Sequence, residues 1–297
     1  MSIKNYQPLL ILPFDHRSTF AKNILGLEGK ISASDKKKIK IFKAIIYEAF
    51  ESVVENYENE LDQFGILVDE EYGQPLIRPA KRLGVKLIIP VEKSGQEEFQ
   101  FEFGTAFGTH LKVYRPDFVK VLVRYNPANK RINQNQLKRL KKLSDFCVKN
   151  DFKLLFEMLV IPTENDLEKA GSVKLFETKL RADLTVQAIK EIRKQVTVDI
   201  WKLEGFTKSG WTKVLKAIDK NSRVIVLGRG ENDQNVKDWL RSASSFPQIV
   251  GFAVGRTIFL KALQDFNKLK INREQTIDRI ARKFRFYVKF WRRYKEL

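Results

Sequence analysis

Eight short apolar runs recur along the chain: LLILPF (9–14), FGILVD (64–69), VKLIIPV (85–91), FVKVLVRY (118–125), KLLFEMLV (153–160), VDIWKLE (198–204), RVIVLG (223–228) and IVGFAVG (249–255). Most are near-continuous and rich in Val, Ile, Leu and Phe. That is the habit of parallel strands covered on both faces. Between them lie segments with apolar residues at helical spacing. SASDKKKIKIFKAIIYEAFESVVENY (32–57) opens with Ser32 or Ser34 as N-cap. Residues 133–150, 183–195, 211–219 and 235–246 are likewise amphipathic. A last long helix over 273–297 places Ile277, Ile280, Phe284, Val288 and Trp291 on one face. Its other side carries Arg279, Arg282, Lys283, Arg285, Lys289, Arg292 and Arg293.

Strand and helix alternate eight times within 297 residues, with no long Pro/Gly/Ser linker, low-complexity tract or short repeat. The pattern predicts one (β/α)8 TIM barrel domain over 1–297, extended by the basic C-terminal helix at 273–297. An open doubly wound sheet is the alternative, but no G-x-G-x-x-G follows the first strand.

Composition narrows the field. The N-terminal apolar stretch ends in PFDHR rather than a small-residue cleavage site, so it reads as the first strand and not a signal peptide. No run approaches the roughly 18 apolar residues of a membrane span. A lone cysteine, Cys147, permits no intrachain disulfide and points to the cytoplasm. The two histidines, His16 and His110, with that cysteine make a poor zinc set. A carboxylate-built magnesium site stays open, but neither metal nor cofactor is assigned. The net charge of +19 attracts anions such as nucleic acid, acidic lipid or phosphorylated metabolites. Its cations are spread along the whole chain, which reads as a solvated surface before it reads as a nucleic-acid platform.

Chemistry in such barrels collects at the C-terminal ends of the strands. Side chains alternate along a strand. Lys120, Leu122 and Arg124 therefore share one face of the fourth run, Leu155, Glu157 and Leu159 one face of the fifth, and Ile200, Lys202 and Glu204 one face of the sixth. If these faces point inward, Lys120, Glu157 and Lys202 converge from three consecutive strands. Two ammonium groups crowded into a partly dry interior favour release of a proton. A neutral amine can then form a Schiff base with a carbonyl, and a nearby carboxylate can move the protons. The alternative is an ion-pair cluster that only fills the barrel; three charges in register favour a site.

The last two runs end in Gly228-Arg229-Gly230 and Gly255-Arg256-Thr257. Glycines that open the backbone amides, beside arginines that can grip an anion with two donors, suit a phosphate at a recurrent position of this architecture. The first run ends in Asp15, His16 and Arg17, which read as substrate contacts, as do Arg124 and Glu204. Glu70, Glu71 and Lys93 are equally readable as a salt-bridge ring. His110 reads as a surface or packing residue, and Trp201 as core facing the helices.

The stretches LPFDHRSTF, ILVDEEYG, PVEKSGQEEFQFEFG, FVKVLVRYNP, LLFEMLV, WKLEG, VIVLGRG and GFAVGRTIF resemble the lysine-dependent (class I) tagatose-bisphosphate aldolase superfamily. They are more similar still to the 2-deoxy-5-keto-gluconate-6-phosphate aldolase family, often fused behind a sugar kinase in inositol catabolism. The resemblance implies Lys202 as the Schiff-base lysine, Glu157 as proton shuttle and Lys120 as its cationic neighbour. It implies Arg256, with Gly228 and Gly255, as the phosphate grip. Asp15-His16-Arg17 stands where the tagatose-bisphosphate group has Asp-Gln-Arg, which favours the keto-gluconate family. The expected substrate is a phosphorylated keto-sugar acid, cleaved to dihydroxyacetone phosphate and malonic semialdehyde. A tagatose- or fructose-bisphosphate aldolase is the enzymatic alternative. A non-catalytic barrel that binds nucleic acid through 273–297 is the alternative of another class, and nucleic acid is otherwise not expected as a partner. Nothing in the sequence argues against a homo-oligomer.

Overall fold

The computed structural model describes residues 7–29 and 31–295. The first six residues of the stretch read as the opening strand, and the last two of the basic helix, lie outside the described residues. The eight strands are β1 (Leu9–Pro13), β2 (Phe64–Leu67), β3 (Lys86–Pro90), β4 (Phe118–Tyr125), β5 (Lys153–Val160), β6 (Ile200–Leu203), β7 (Arg223–Leu227) and β8 (Ile249–Ala253). They follow one another in chain order around a closed parallel barrel. Each sits inside the apolar run that predicts it. The principal helices are α1 (Ala33–Val54), α2 (Glu70–Leu83), α3 (Phe107–Tyr114), α4 (Lys130–Lys149), α5 (Arg181–Ile192), α6 (Lys208–Ala217), α7 (Asp233–Ser244), α8 (Arg256–Asn267) and α9 (Arg273–Lys295). Among the described residues no helix is long and apolar enough to cross a membrane.

The chain's contacts gather into two compact units. The first comprises Met1–Pro90, Gly228–Lys237 and Val250–Leu297. In it, α1 starts where Ser32, not Ser34, accepts the Asp35 amide at 3.2 Å. Its apolar stripe buries Ile39, Phe42, Ile46, Phe50 and Val53. α9 packs its predicted face inward: Ile280, Phe284, Val288 and Trp291 are buried, joined by Tyr287. The Phe284 ring lies 5.6 Å from Phe50 and 6.5 Å from Phe64, and Trp291 lies 6.4 Å from Phe252. These large rings bury much of the apolar area that fastens the helix.

Tyr287 ties α9 to the start of α7 by donating its hydroxyl to Asp233 Oδ1 at 2.7 Å, and Lys283 reaches Asp233 Oδ2 at 2.9 Å. Burial opposes ionisation of Asp233, but these two bonds outweigh it and hold the carboxyl below the usual carboxylate range. A depressed folded-state value means stabilisation that is whole above the unfolded value of about 4 and fades as pH falls through the folded one. Thermal unfolding should therefore show wild type above Asp233→Asn at neutral pH. The gap should close on acidification below about pH 4. A gap independent of pH would contradict the assignment.

The second unit comprises Val91–Leu227 and Asp238–Ile249. It contains β4 to β7 with α3 to α6. Glu157 on β5 lies opposite Leu122 of β4 and Lys202 of β6. Outward positions Val119, Val121 and Val123 on β4 and Phe156 and Met158 on β5 are buried. Trp201 is buried with its ring 5.1 Å from Phe156. Leu140, Leu143 and Cys147 of α4 are buried as well. Burial, aided by the Asp199 carboxylate, pushes the Cys147 thiol up to about 12, which makes it a poor nucleophile at neutral pH. His110 packs as expected, its ring 3.7 Å from that of Phe103.

Candidate active site

The sequence-predicted trio meets inside the second unit. Lys202 Nζ lies 2.9 Å from Glu157 Oε2, and Lys120 Nζ lies 3.1 Å from the same oxygen. One carboxylate oxygen thus serves two ammonium groups. The register explains why: Glu157 and Lys202 are direct neighbours across the parallel pair. Lys120 stands two residues before Leu122, Glu157's neighbour on the other side, so its long stem reaches forward.

A fourth member, Glu92, is a charged residue at the end of the third apolar run to which the sequence assigns no role. Its Oε1 accepts from Lys120 Nζ at 2.5 Å. Glu92 is positioned by a small hairpin just past β3. Val91 donates its amide to Lys120 O, Lys93 donates to Gln100 O, and Glu92 bridges Phe101. The signal was a charged residue in the third strand-end stretch, VEKSGQ. With all four ionised, two ammonium groups face two carboxylates and the cluster is neutral. That balance makes a buried group of four charges affordable, since each unpaired ion would cost several kcal/mol.

On β4 and β5 the inward face gains exposure toward the strand ends. Lys120 and Leu155 are buried, whereas Leu122 and Arg124 on β4 and Glu157 and Leu159 on β5 are half-buried. The outward positions beside them stay covered. On β6, by contrast, both Lys202 and Glu204 are buried. A buried amine beside a carboxylate able to take up its proton can condense with a carbonyl compound.

Two other predicted residues in this unit have protein partners. Arg124 donates to Gln96 O at 2.8 Å. Glu204, buried just past β6, lies 3.4 Å from Arg181 Nη1. Arg181 reaches Glu177 at 2.7 Å, donates to Gly205 O at 2.8 Å, and stacks its guanidinium 4.7 Å from the Phe206 ring. These bonds fix the backbone that follows Lys202. Gly205 is required there, because a Cβ would fall 2.0 Å from Trp239. Gly205→Ala should cost about 1 to 3 kcal/mol in urea unfolding by overpacking. An unchanged midpoint would show that Trp239 yields freely.

The first unit holds the remaining candidates. Gly228, Arg229, Gly230, Gly255 and Arg256 are brought together. Arg256 Nη2 donates to Arg229 O at 2.5 Å. A Cβ on Gly230, whose φ is 82°, would come within 2.8 Å of the Arg256 guanidinium carbon. A Cβ on Gly255 would strike Pro13 O at 2.2 Å. Gly255 also caps the start of α8, so a glycine loop, a guanidinium and helix N-terminal amides are neighbours, an arrangement able to hold an oxyanion.

Asp15 and Arg17 are buried, and His16 Nδ1 lies 3.9 Å from Asp15. Behind them stands Lys43 of α1, fully buried, which donates to His16 O at 3.1 Å and pairs with Asp69. Burial pushes the Lys43 ammonium down and the Asp69 carboxyl up, while their mutual attraction opposes both. Asp69 also caps α2 by accepting the Tyr72 amide at 3.0 Å. Lys43 was not singled out in the sequence, although it lies on the stripe marked by Ile39, Phe42, Ile46 and Phe50. Of the proposed salt-bridge ring, Glu71 pairs with Lys36 at 3.6 Å on the surface. Among the described residues no cluster of three His, Cys, Asp or Glu side chains could hold a metal ion.

Comparison with solved structures shows the same fold at low identity. Cgl0159 from Corynebacterium glutamicum is 16% identical with a TM-score of 0.57, over 94% of this chain and 86% of that one. A Schiff base-forming fructose-1,6-bisphosphate aldolase is 12% identical with a TM-score of 0.55, over 95% and 93%. The YdjI aldolase from Escherichia coli K12 is 10% identical with a TM-score of 0.54, over 97% and 92%. No curated protein matches the chain. A match over residues 2–295 decides the family: the chain belongs to the DUF2090 family, described as uncharacterized protein conserved in bacteria.

Proposed function

We propose that the protein is a class I aldolase that cleaves a phosphorylated keto-sugar through a Schiff base on Lys202. The observation that carries this reading is the placement of the buried Lys202 Nζ 2.9 Å from Glu157 Oε2. The fold likeness to a Schiff base-forming fructose-1,6-bisphosphate aldolase supports it. So does the sequence resemblance to the class I tagatose-bisphosphate superfamily.

Lys202 passes a proton to Glu157 and, now neutral, attacks the ketone carbon to give a carbinolamine; Glu157 returns that proton as the hydroxyl leaves as water. The resulting iminium draws in the electron pair of the C–C bond one carbon away. Glu157, now a carboxylate, takes the proton from the hydroxyl that becomes the aldehyde. Protonation of the enamine and addition of water then release the ketone and restore Lys202. Lys120, held between Glu92 and Glu157, keeps the shuttle carboxylate in place and tunes its hold on the proton.

The substrate assigned is 2-deoxy-5-keto-gluconate 6-phosphate, giving dihydroxyacetone phosphate and malonic semialdehyde. Its phosphate is assigned to Gly228, Arg229, Gly230, Gly255 and Arg256. Its carboxylate falls to Arg17 or Arg124, and its hydroxyls to Asp15, His16 or Glu204. A ketose bisphosphate is the second reading, favoured by the fructose-1,6-bisphosphate aldolase likeness. Relative turnover of the two substrates separates them. The central test is borohydride reduction with dihydroxyacetone phosphate, followed by peptide mass spectrometry. An adduct on Lys202 is expected. No adduct, together with turnover abolished by a chelator, would replace this chemistry with a metal-assisted reaction.

A further inference from the structure

The last three turns of α9 carry two parallel stripes. Arg285, Lys289 and Arg293 recur every fourth residue, and Phe286, Phe290 and Tyr294 recur beside them at the same interval. Residues four apart are neighbours on one helix face, each step rising about 6 Å. The aromatic stripe is a continuous ladder, with ring centroids 5.8 Å apart for Phe286–Phe290 and 4.7 Å for Phe290–Tyr294. It is not core: Phe286 is 46% and Tyr294 36% exposed, while Phe284, Tyr287, Val288 and Trp291 fill the buried face.

The cations of this stripe differ from five others on the helix. Arg273 pairs with Glu48, Arg279 with Asp265, Arg282 with Asp278, Lys283 with Asp233 and Arg292 with Glu60. Among the described residues, Arg285, Lys289 and Arg293 have no carboxylate at ion-pair distance. The complementary partner is therefore an anion with flat apolar faces.

We propose that this face of α9 binds single-stranded nucleic acid, its bases on the aromatic ladder and its phosphates on Arg285, Lys289 and Arg293. Bases stack on exposed aromatic rings without regard to sequence, and a line of cations tracks a backbone. The step of about 6 Å exceeds the roughly 3.4 Å between charges along one strand of a duplex, so the surface matches an unstacked strand. A bilayer would need a broad apolar face, and the broad face of α9 is already buried in the protein. A second copy of the chain, itself carrying +19, would bring like charges together. The proposal is independent of the lyase chemistry.

The test is fluorescence anisotropy of the whole protein with a labelled uridine oligonucleotide across a salt series. A duplex of equal length and vesicles containing phosphatidylglycerol serve as parallel probes. Wild type should prefer the single strand, with affinity falling as salt rises. The triple variant Arg285→Gln, Lys289→Gln, Arg293→Gln should flatten the log–log salt slope by about 2, at roughly 0.7 per lost contact. Phe286→Ser with Tyr294→Ser should weaken binding about tenfold or more at unchanged slope. Arg285→Lys with Arg293→Lys should keep the slope, separating lost charge from lost fold. An unchanged slope in the glutamine variant, equal binding of the duplex, or retention on vesicles without the oligonucleotide would each overturn the proposal.

Discussion

Lys202→Met is expected to abolish the borohydride-trapped adduct and to lower retro-aldol turnover on the order of 10^4-fold or more. Methionine keeps the length and apolar stem of the side chain, so the strand should still form, but it has no amine to condense with a ketone. Lys202→Arg should be nearly as inactive, because a guanidinium stays protonated at any working pH. Lys202→Met removes a cation that Glu157 Oε2 contacts at 2.9 Å, whereas Lys202→Arg keeps the charge. Lys120, 3.1 Å from the same oxygen, remains to hold that carboxylate. Retained trapping in either variant would move the covalent site elsewhere, with Lys120 the next amine to be mapped.

Glu157→Gln should leave trapping measurable but slow, and should lower kcat by about 10^2 to 10^4 with a much smaller change in KM. The amide holds its place in the cluster yet carries no proton between steps. It also removes the negative charge shared by two buried ammonium groups, so stability should fall by up to about 3 to 5 kcal/mol. Adding Lys120→Met should restore much of that stability, because the second change removes one of the cations left unmatched. It should not restore turnover. A Glu157→Gln enzyme with unchanged kcat would assign the proton transfers to another group, Glu92 being the nearest candidate through Lys120.

The strands and their faces were legible in the sequence because they depend on neighbours two residues away. The alternation in FVKVLVRY, KLLFEMLV and VDIWKLE places Lys120, Glu157 and Lys202 each on a defined face of its own strand before any pairing is known. The eightfold repeat of strand and helix then makes those runs consecutive in a barrel. The buried stripe of the last helix was equally readable at its 3.6-residue period. Other features turned on contacts between distant segments. Lys43 and Asp69 stand 26 residues apart, and only the packing of α1 buries that lysine against its carboxylate. Glu92 joins Lys120 across 28 residues because a hairpin past β3 turns it there. Arg181 reaches Gly205 O across 24 residues. Even the choice of Ser32 over Ser34 as cap was settled by backbone geometry at one amide.

By itself, then, the sequence determined which segments are strands, which residues of each share a face, and that two amines and a carboxylate fall on such faces of three consecutive strands. The tertiary structure alone decided which charges meet and which stay bare. The physical reason is range. Periodicity is a property of a few adjacent residues and needs no partner. A buried ion pair needs two segments brought within about 3 to 4 Å, where desolvation and Coulomb attraction are balanced.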